Sequence, residues 1–295
     1  MENAVKFESF SFGKRVKSML KVDFRRMFRS RLFYILAATA LLIPIVMTVM
    51  LTMMDGKETV NQQTGEVTVM EGPESVWESI GTLPTDSAGD TAGGSADNST
   101  EGGTSGEGGM AAMGAGMDVM AMCNINMMFM LVCVFVCLFI SDDFRAGYAK
   151  NLFTVRADKT DYVISKTLAG FTAGAVMLIA YFVGAMLGGA FTGLSFALPV
   201  GLNAGNILMC MLAKIFLMPV FVSIFTLISV AAKKTAWLSI CGSLGGGMLL
   251  FMMVGMITPL TSTVMNVFLC TAGGAMFSIG LGAISRLVLK KTSLV

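Results

Sequence analysis

Six stretches of this chain each run for more than 20 mostly apolar residues, and that feature leaves few folds open. A helix rises about 1.5 Å per residue and bilayer hydrocarbon is about 30 Å thick, so about 20 such residues make one crossing. The stretches are 32–54, 119–141, 166–192, 206–231, 237–258 and 262–285. Apolar side chains make up 55% of the 295 residues and charged ones 14%. Soluble domains carry about 25% charged residues, so this chain has too little polar surface to cover a core in water. It reads as an all-α membrane protein with six transmembrane helices.

The basic residues set the orientation. Nineteen of the 21 Lys and Arg fall in residues 1–31, in 142–166, at 233–234 and after 285. All four regions share one side of a six-span layout, so both termini are expected in the cytoplasm. Only Lys57 lies opposite, and Lys214 falls within the fourth span. The tail is expected over 286–295. A cleaved leader would have a shorter apolar core, so the first stretch reads as a retained span.

Residues 55–118 form the one long outer loop and hold twelve acids against Lys57. Alternation of polar and β-branched residues over Glu58–Met70, around Gln63-Thr64-Gly65-Glu66, predicts a hairpin. A short helix carrying Trp77 is expected within Pro73–Ile80. From Pro84 to Gly109 the loop holds only small, polar and acidic residues with one proline, a composition that predicts disorder.

Two cytoplasmic segments stand out. In residues 1–31, Val16, Met19, Leu20, Phe24, Met27 and Phe28 share one helical face, while Lys14, Lys17, Lys21, Arg25 and Arg29 take the other. That pattern predicts an amphipathic helix lying among inner-leaflet headgroups. The loop 142–165 follows a span with two acids, a glycine and a short amphipathic segment. Tyr148, Leu152, Phe153 and Val155 are its apolar side, and Lys150, Asn151 and Arg156 its polar side. A second helical start is expected near Asp158–Asp161, capped by Thr160 or Asp161. Exposed aromatic residues in such a loop point either to a docked partner or to packing on the membrane surface.

The order of Asp142, Asp143, Gly147, Lys150, Leu152, Lys159, Tyr162 and Lys166 resembles the loop between the second and third spans of ABC-2 type exporter permeases. The layout of interfacial helix, six spans and large first outer loop is similar to that family as well. The resemblance implies a homodimer bound to two copies of a separate ABC ATPase subunit in a bacterial plasma membrane. ATP and Mg would sit on the ATPase, with no cofactor in this chain. It also implies that a helix at about Arg145–Val155 enters a groove of the ATPase. The residues this assigns to coupling are Asp142, Asp143, Phe144, Arg145, Gly147, Tyr148, Lys150, Asn151, Leu152 and Lys159. In the family the dimer contact involves the first and fifth spans, which points to Gly242, Gly245, Gly246 and Gly247.

The residues themselves limit the alternatives. No GxxxxGK[ST] pattern occurs, so ATP hydrolysis is not expected here. Histidine is absent, which removes His-based catalysis and His metal sites. The six cysteines all lie in apolar runs, where thiols pack as small hydrophobes. No metal site and no nucleic-acid partner is indicated. No Asp or Glu falls within the six stretches, unlike ion-coupled carriers, so energy is expected to arrive from outside the membrane domain. Lys214 either lines an aqueous cavity and meets substrate, or snorkels outward. Pro44 and Pro219 should kink their spans. Small-residue pairs recur at Gly170/Gly174, Gly184/Gly188, Gly242/Gly246 and Gly274/Ser278, allowing close helix approach.

The leading expectation is the permease subunit of an ATP-driven exporter. The acidic outer loop and Met-rich interior favour small amphipathic or cationic peptides as cargo. The alternatives are a non-transporting sensor or scaffold with an acidic ligand-capturing loop, and an exporter of lipid, drug or ion.

Overall fold

The computed structural model describes residues 12–56, 58–60, 67–69, 73, 75–80, 125–154, 158–198, 203–233, 235–259 and 261–291. The expected disorder at 84–109, the hairpin turn and the final residues of the tail lie outside these.

Helix α1 (Phe12–Arg29) stops at Ser30, whose extended ψ of 125° sets the corner into α2 (Arg31–Met54). Strands β1 (Glu58–Val60) and β2 (Val67–Val69) pair antiparallel with Glu58 opposite Val69, as the alternation predicts. The expected short helix is α3 (Val76–Ser79), and Trp77 is buried on it. A single 3-10 turn (Ile125–Met127) leads into α4 (Met128–Arg145). Then follow α5 (Tyr148–Thr154), α6 (Lys159–Thr192), α7 (Ala204–Ala232), α8 (Ala236–Ile257) and α9 (Val264–Lys291).

Among the described residues, five helical segments are long and apolar enough to cross a membrane: Arg31–Met54, Ile125–Arg145, Lys159–Thr192, Ala204–Ala232 and Val264–Leu289. The 22-residue α8 occupies the fifth predicted stretch. Several boundaries differ from expectation at the charged ends. Helix α4 continues through Asp142, Asp143 and Arg145, and α6 begins at Lys159, seven residues before the expected start. Asp143 and Asp161 therefore belong to long helices. The assumed 24-residue loop shrinks to the stretch between Ala146 and Asp158. Asp158 precedes α6 and makes no side-chain cap, so neither Thr160 nor Asp161 caps that helix. Helix α9 likewise runs on through Arg286, so the expected tail is largely helical.

Helix α7 sits at the centre, packed on α4, α6, α8 and α9, while α2 lies against α6. Small residues set these crossings. A Cβ at Gly184 would strike the Leu41 carbonyl and Pro44, and one at Gly274 would lie 2.5 Å from the Phe216 carbonyl. Both sites face a proline-containing helix. Thr48 donates to the Pro44 carbonyl at 2.8 Å, and Ser223 and Ser278 donate to the Pro219 carbonyl at 2.7 and 3.3 Å. At the end of α6 away from Lys159, Val76 donates to the Ser195 carbonyl at 3.1 Å and Trp77 Nε1 to the Phe196 carbonyl at 3.4 Å. These bonds seat α3 over the end of α6.

Added Cβ atoms at Gly242, Gly246 and Gly247 would meet Ile228 and Phe225 of α7 at 3.0–3.3 Å, so all three pack on α7, although Gly242 remains exposed on its other side. Gly245 alone of the four has no neighbour within 4 Å. Gly184→Leu should wedge α2 from α6 and lower stability by about 1–3 kcal/mol or more. Gly245→Leu should leave thermal unfolding in detergent unchanged. Equal melting of the two variants would contradict this packing.

Candidate functional site

At one end of the long helices the chain gathers most of its buried charges. Helix α1 contributes Asp23 and Arg26, one turn apart. Helix α4 contributes Asp143, and α6 contributes Tyr162, Ser165 and Lys166 on one face. The Asp23, Asp143 and Lys166 side chains are fully buried. Lys166 Nζ lies 2.7 Å from Asp23 Oδ1 and 2.6 Å from Asp143 Oδ2. Arg26 Nη1 lies 2.6 Å from Asp143 Oδ1. Ser165 Oγ donates to Asp23 Oδ2 at 2.5 Å, and the Tyr162 hydroxyl donates to Asp143 Oδ2 at 3.2 Å.

Two acids and two bases thus balance, with Asp23, Asp143 and Lys166 out of reach of water and Arg26 half-buried at the edge. Removing one partner from such a cluster leaves an uncompensated charge, which costs far more than an exposed pair is worth. Aromatic faces complete the enclosure. Lys166 Nζ sits 4.1 Å from the Phe139 ring centroid and the Arg26 guanidinium 4.3 Å from that of Tyr148. Burial alone would lower the Arg26 pKa, but the Asp143 carboxylate outweighs it and holds the guanidinium above its usual value. Burial raises the Tyr148 phenol, with the carboxylates of Asp23 and Asp143 adding to it. Arg26 stays charged and Tyr148 neutral throughout the physiological range.

The short helix α5 hangs from this cluster. Gly147, at φ +70°, supplies the left-handed turn that reverses the chain after α4. Ala149 is buried, and Phe153 packs edge-on to Tyr162 at 5.4 Å. The apolar side of α5 is therefore spent on its own chain. Tyr148, Leu152 and Phe153 remain half-buried. Lys150, Asn151 and Thr154 form the exposed side, and Asp142 and Arg145 are exposed on the last turn of α4.

Of the residues expected to act in coupling, the structure unites Asp143, Phe144, Gly147, Tyr148 and Leu152 with the cluster or its apolar edge. Phe144 is buried beside Tyr162, with ring centroids 6.5 Å apart. Lys159 has a different role. Its Nζ donates to the Leu289 carbonyl at 2.7 Å, tying the start of α6 to the last turn of α9. A cation there also meets the negative end of the α9 dipole. Arg15 bridges Asp158 at 3.0 Å and Asp161 at 3.3 Å, fixing α1 to the same corner.

Lys214 stands apart near the outer ends of the helices. It is fully buried and does not snorkel; Nζ donates to Asn126 Oδ1 at 2.7 Å and to Thr258 Oγ1 at 2.9 Å. The space beside it is lined by Trp77, Ile80, Ile125, Phe182, Ile207, Cys210 and Met211, and is about 10 Å³ in volume. That is barely room for one water, so Lys214 lines no open cavity. Pro44 lies in the α2–α6 crossing, away from both charge sites.

Asp23 and Arg26 were not singled out by the sequence. Asp23 is the one acid in a basic helix and lies on the same face as Met19 and Met27, four residues to either side. An acid on the apolar face of a cationic helix is the signal that could have found it.

No family model, no curated protein and no solved structure matches this chain.

Lys166→Met should cost about 3–5 kcal/mol, because Asp23 and Asp143 are then buried without their shared cation. Asp23→Asn combined with Lys166→Met should recover part of that loss. Thermal unfolding of the purified protein checks both. A single-variant loss below about 1 kcal/mol would mean that the cluster behaves as an exposed pair.

Proposed function

We propose that this chain is the membrane-spanning permease subunit of an ATP-driven exporter of the ABC-2 type. The supporting observation is the suspension of α5 from the buried cluster. Its inner side is fixed to α1, α4 and α6, while Lys150, Asn151 and Thr154 face outward. A separate ATPase that grips this outer side would pull on three helices at once. The resemblance of residues 142–166 to the family's coupling loop rests on the same residues, and Asp143, Tyr162 and Lys166 of that pattern touch one another.

In this reading α8 also crosses the membrane, as the fifth of six spans, and both termini are cytoplasmic, in keeping with the one-sided distribution of Lys and Arg. The chain works as a homodimer with two ATPase subunits in a bacterial plasma membrane, and ATP and Mg belong to those subunits. The outward stripe of α8, with Trp237 78% and Leu238 61% exposed beside Gly245, is the surface assigned to the second copy. The acidic outer loop and Met-rich spans favour small amphipathic or cationic peptides as cargo.

The test is Mg-ATP hydrolysis by the complex purified on this chain from its native membrane and reconstituted in lipid. The wild-type preparation should hydrolyse ATP. Lys150→Glu with Asn151→Ala should lower turnover by about tenfold or more, equivalent to about 1.4 kcal/mol of lost contact, without changing the melting of the chain itself. Absence of hydrolysis in the wild-type complex, or unchanged turnover in the variant, would overturn the proposal.

A further inference from the structure

Most hydroxyls on the long helices bond their own backbone. Thr39, Thr48, Thr172, Thr271 and Ser285 each donate to the carbonyl four residues earlier. This is the default in a medium that offers no water. Ser141, Thr226 and Ser243 break the pattern. All three are buried; the Ser141 and Thr226 hydroxyls find no hydrogen-bond partner among the described residues, and Ser243 has only the thiols of Cys133 and Cys137 beside it.

Ser141 and Ser243 border one seam. Helix α4 presents Cys133, Cys137 and Ser141 at four-residue spacing, α7 presents Ser229, and α8 presents Ser239 and Ser243. Every one of these side chains is buried. Ser229 and Ser239 hydroxyls are 2.7 Å apart, and Cys137 Sγ lies 3.5 Å from the Ser239 carbonyl. Ser243 lies against the sulfurs of Cys133 and Cys137. A buried hydroxyl without a partner carries a desolvation cost, and water is its usual remedy. The seam starts at the inner ends of the three helices and reaches Cys133, about 18 Å up α4 from Arg145 at 1.5 Å per residue.

The same three helices are closed further out by aromatic rings. Phe129 and Phe221 are 4.5 Å apart, Phe221 and Phe225 6.0 Å apart, and a Cβ on Gly247 would touch the Phe225 ring at 3.0 Å. Beyond the rings, Lys214 of α7, Asn126 before α4 and Thr258 after α8 form the second polar cluster. Polar groups thus lie at both ends of a single three-helix interface, with Phe129, Phe221 and Phe225 between.

We propose that α4, α7 and α8 enclose a hydrated path within one chain. Its inner half is the thiol and hydroxyl seam open to the cytoplasm, and the three phenylalanines are its barrier. Its ligands are water and the hydrogen-bonding groups of a polar solute or cargo. Helix α8 is the movable wall, because Gly242, Gly246 and Gly247 meet α7 without interlocking side chains and one hydrogen bond, Ser229 to Ser239, joins the two helices at the start of α8. The path deepens the exporter reading only in its motor; hydration of the seam needs no ATPase.

The native thiols report on it. In a variant with Cys123, Cys210, Cys241 and Cys270 replaced by Ser, only Cys133 and Cys137 remain. A membrane-impermeant anionic methanethiosulfonate, applied to the protein complex in sided vesicles, should modify them from the cytoplasmic face and not from the outer face. Phe221→Ala should admit the reagent from outside. Combining Ser141→Ala and Ser243→Ala should slow inner-face modification about tenfold, as loss of one or two hydrogen bonds to water predicts. That double variant should melt close to the wild type, since the Ser141 hydroxyl bonds nothing among the described residues and Ser243 meets only weakly bonding thiols. Thiols that react only after denaturation, or equally fast in the double variant, would overturn the path. If modification occurs as expected but Mg-ATP leaves its rate unchanged, the path stands and the exporter reading fails.

Discussion

Asp23, Asp143 and Lys166 share a pocket that excludes water, and Arg26 closes its half-exposed edge. Stripping water from a buried ion costs several kcal/mol, so the three buried charges depend on one another. Because the four residues come from three separate helices, this requirement fixes the clustered ends of α1, α4 and α6 in one arrangement. Helix α5 inherits that arrangement through Tyr148 under Arg26 and Phe153 against Tyr162. A seven-residue helix would be marginal alone in water. Here it is held by a cluster that has no low-energy partial state.

The spans themselves follow another logic. Lipid supplies no hydrophobic drive between helices, so association depends on close backbone approach and satisfied polar groups. Gly184 and Gly188 let α6 sink onto α2 at Pro44, and Gly274 lets α9 sink onto α7 near Pro219. At both crossings a proline leaves a carbonyl that hydroxyls reach. The α7–α8 contact is different in kind. It is made by glycines under Ile228 and Phe225 and by one hydroxyl pair, Ser229 and Ser239. Clustered charge at one end and a glycine contact between α7 and α8 give the two parts of the body different kinds of hold.

Much of the fold was legible in the sequence because bilayer thickness sets helix length. All six apolar stretches coincide with helices, and the hairpin strands and α3 fall where alternation and Trp77 place them. The errors cluster where apolar length stops being informative. A charged residue was taken to end a span, yet α4 and α6 carry Asp143 and Lys166 on because those charges neutralise each other inside the fold. For the same reason the apolar residues of 148–153 were read as a docking surface or a membrane contact, when they cover the cluster. The pairing of Asp23 with Lys166 spans more than 140 residues, and no local pattern encodes it. The Lys214 contacts escaped notice likewise, since Asn126 and Thr258 are ordinary polar residues at span ends.

The central claim is that α1, α5 and the inner ends of α4 and α6 move as one body against α8. Spin labels placed pairwise on exposed positions test this most directly, with distances measured by pulsed electron resonance in the complex with and without Mg-ATP turnover. Asn151 to Lys17 and Asn151 to Leu168 should keep their distances, while Asn151 to Leu238 changes. A change in the first two with the third held constant would show that α5 moves free of the cluster, and the account would fail.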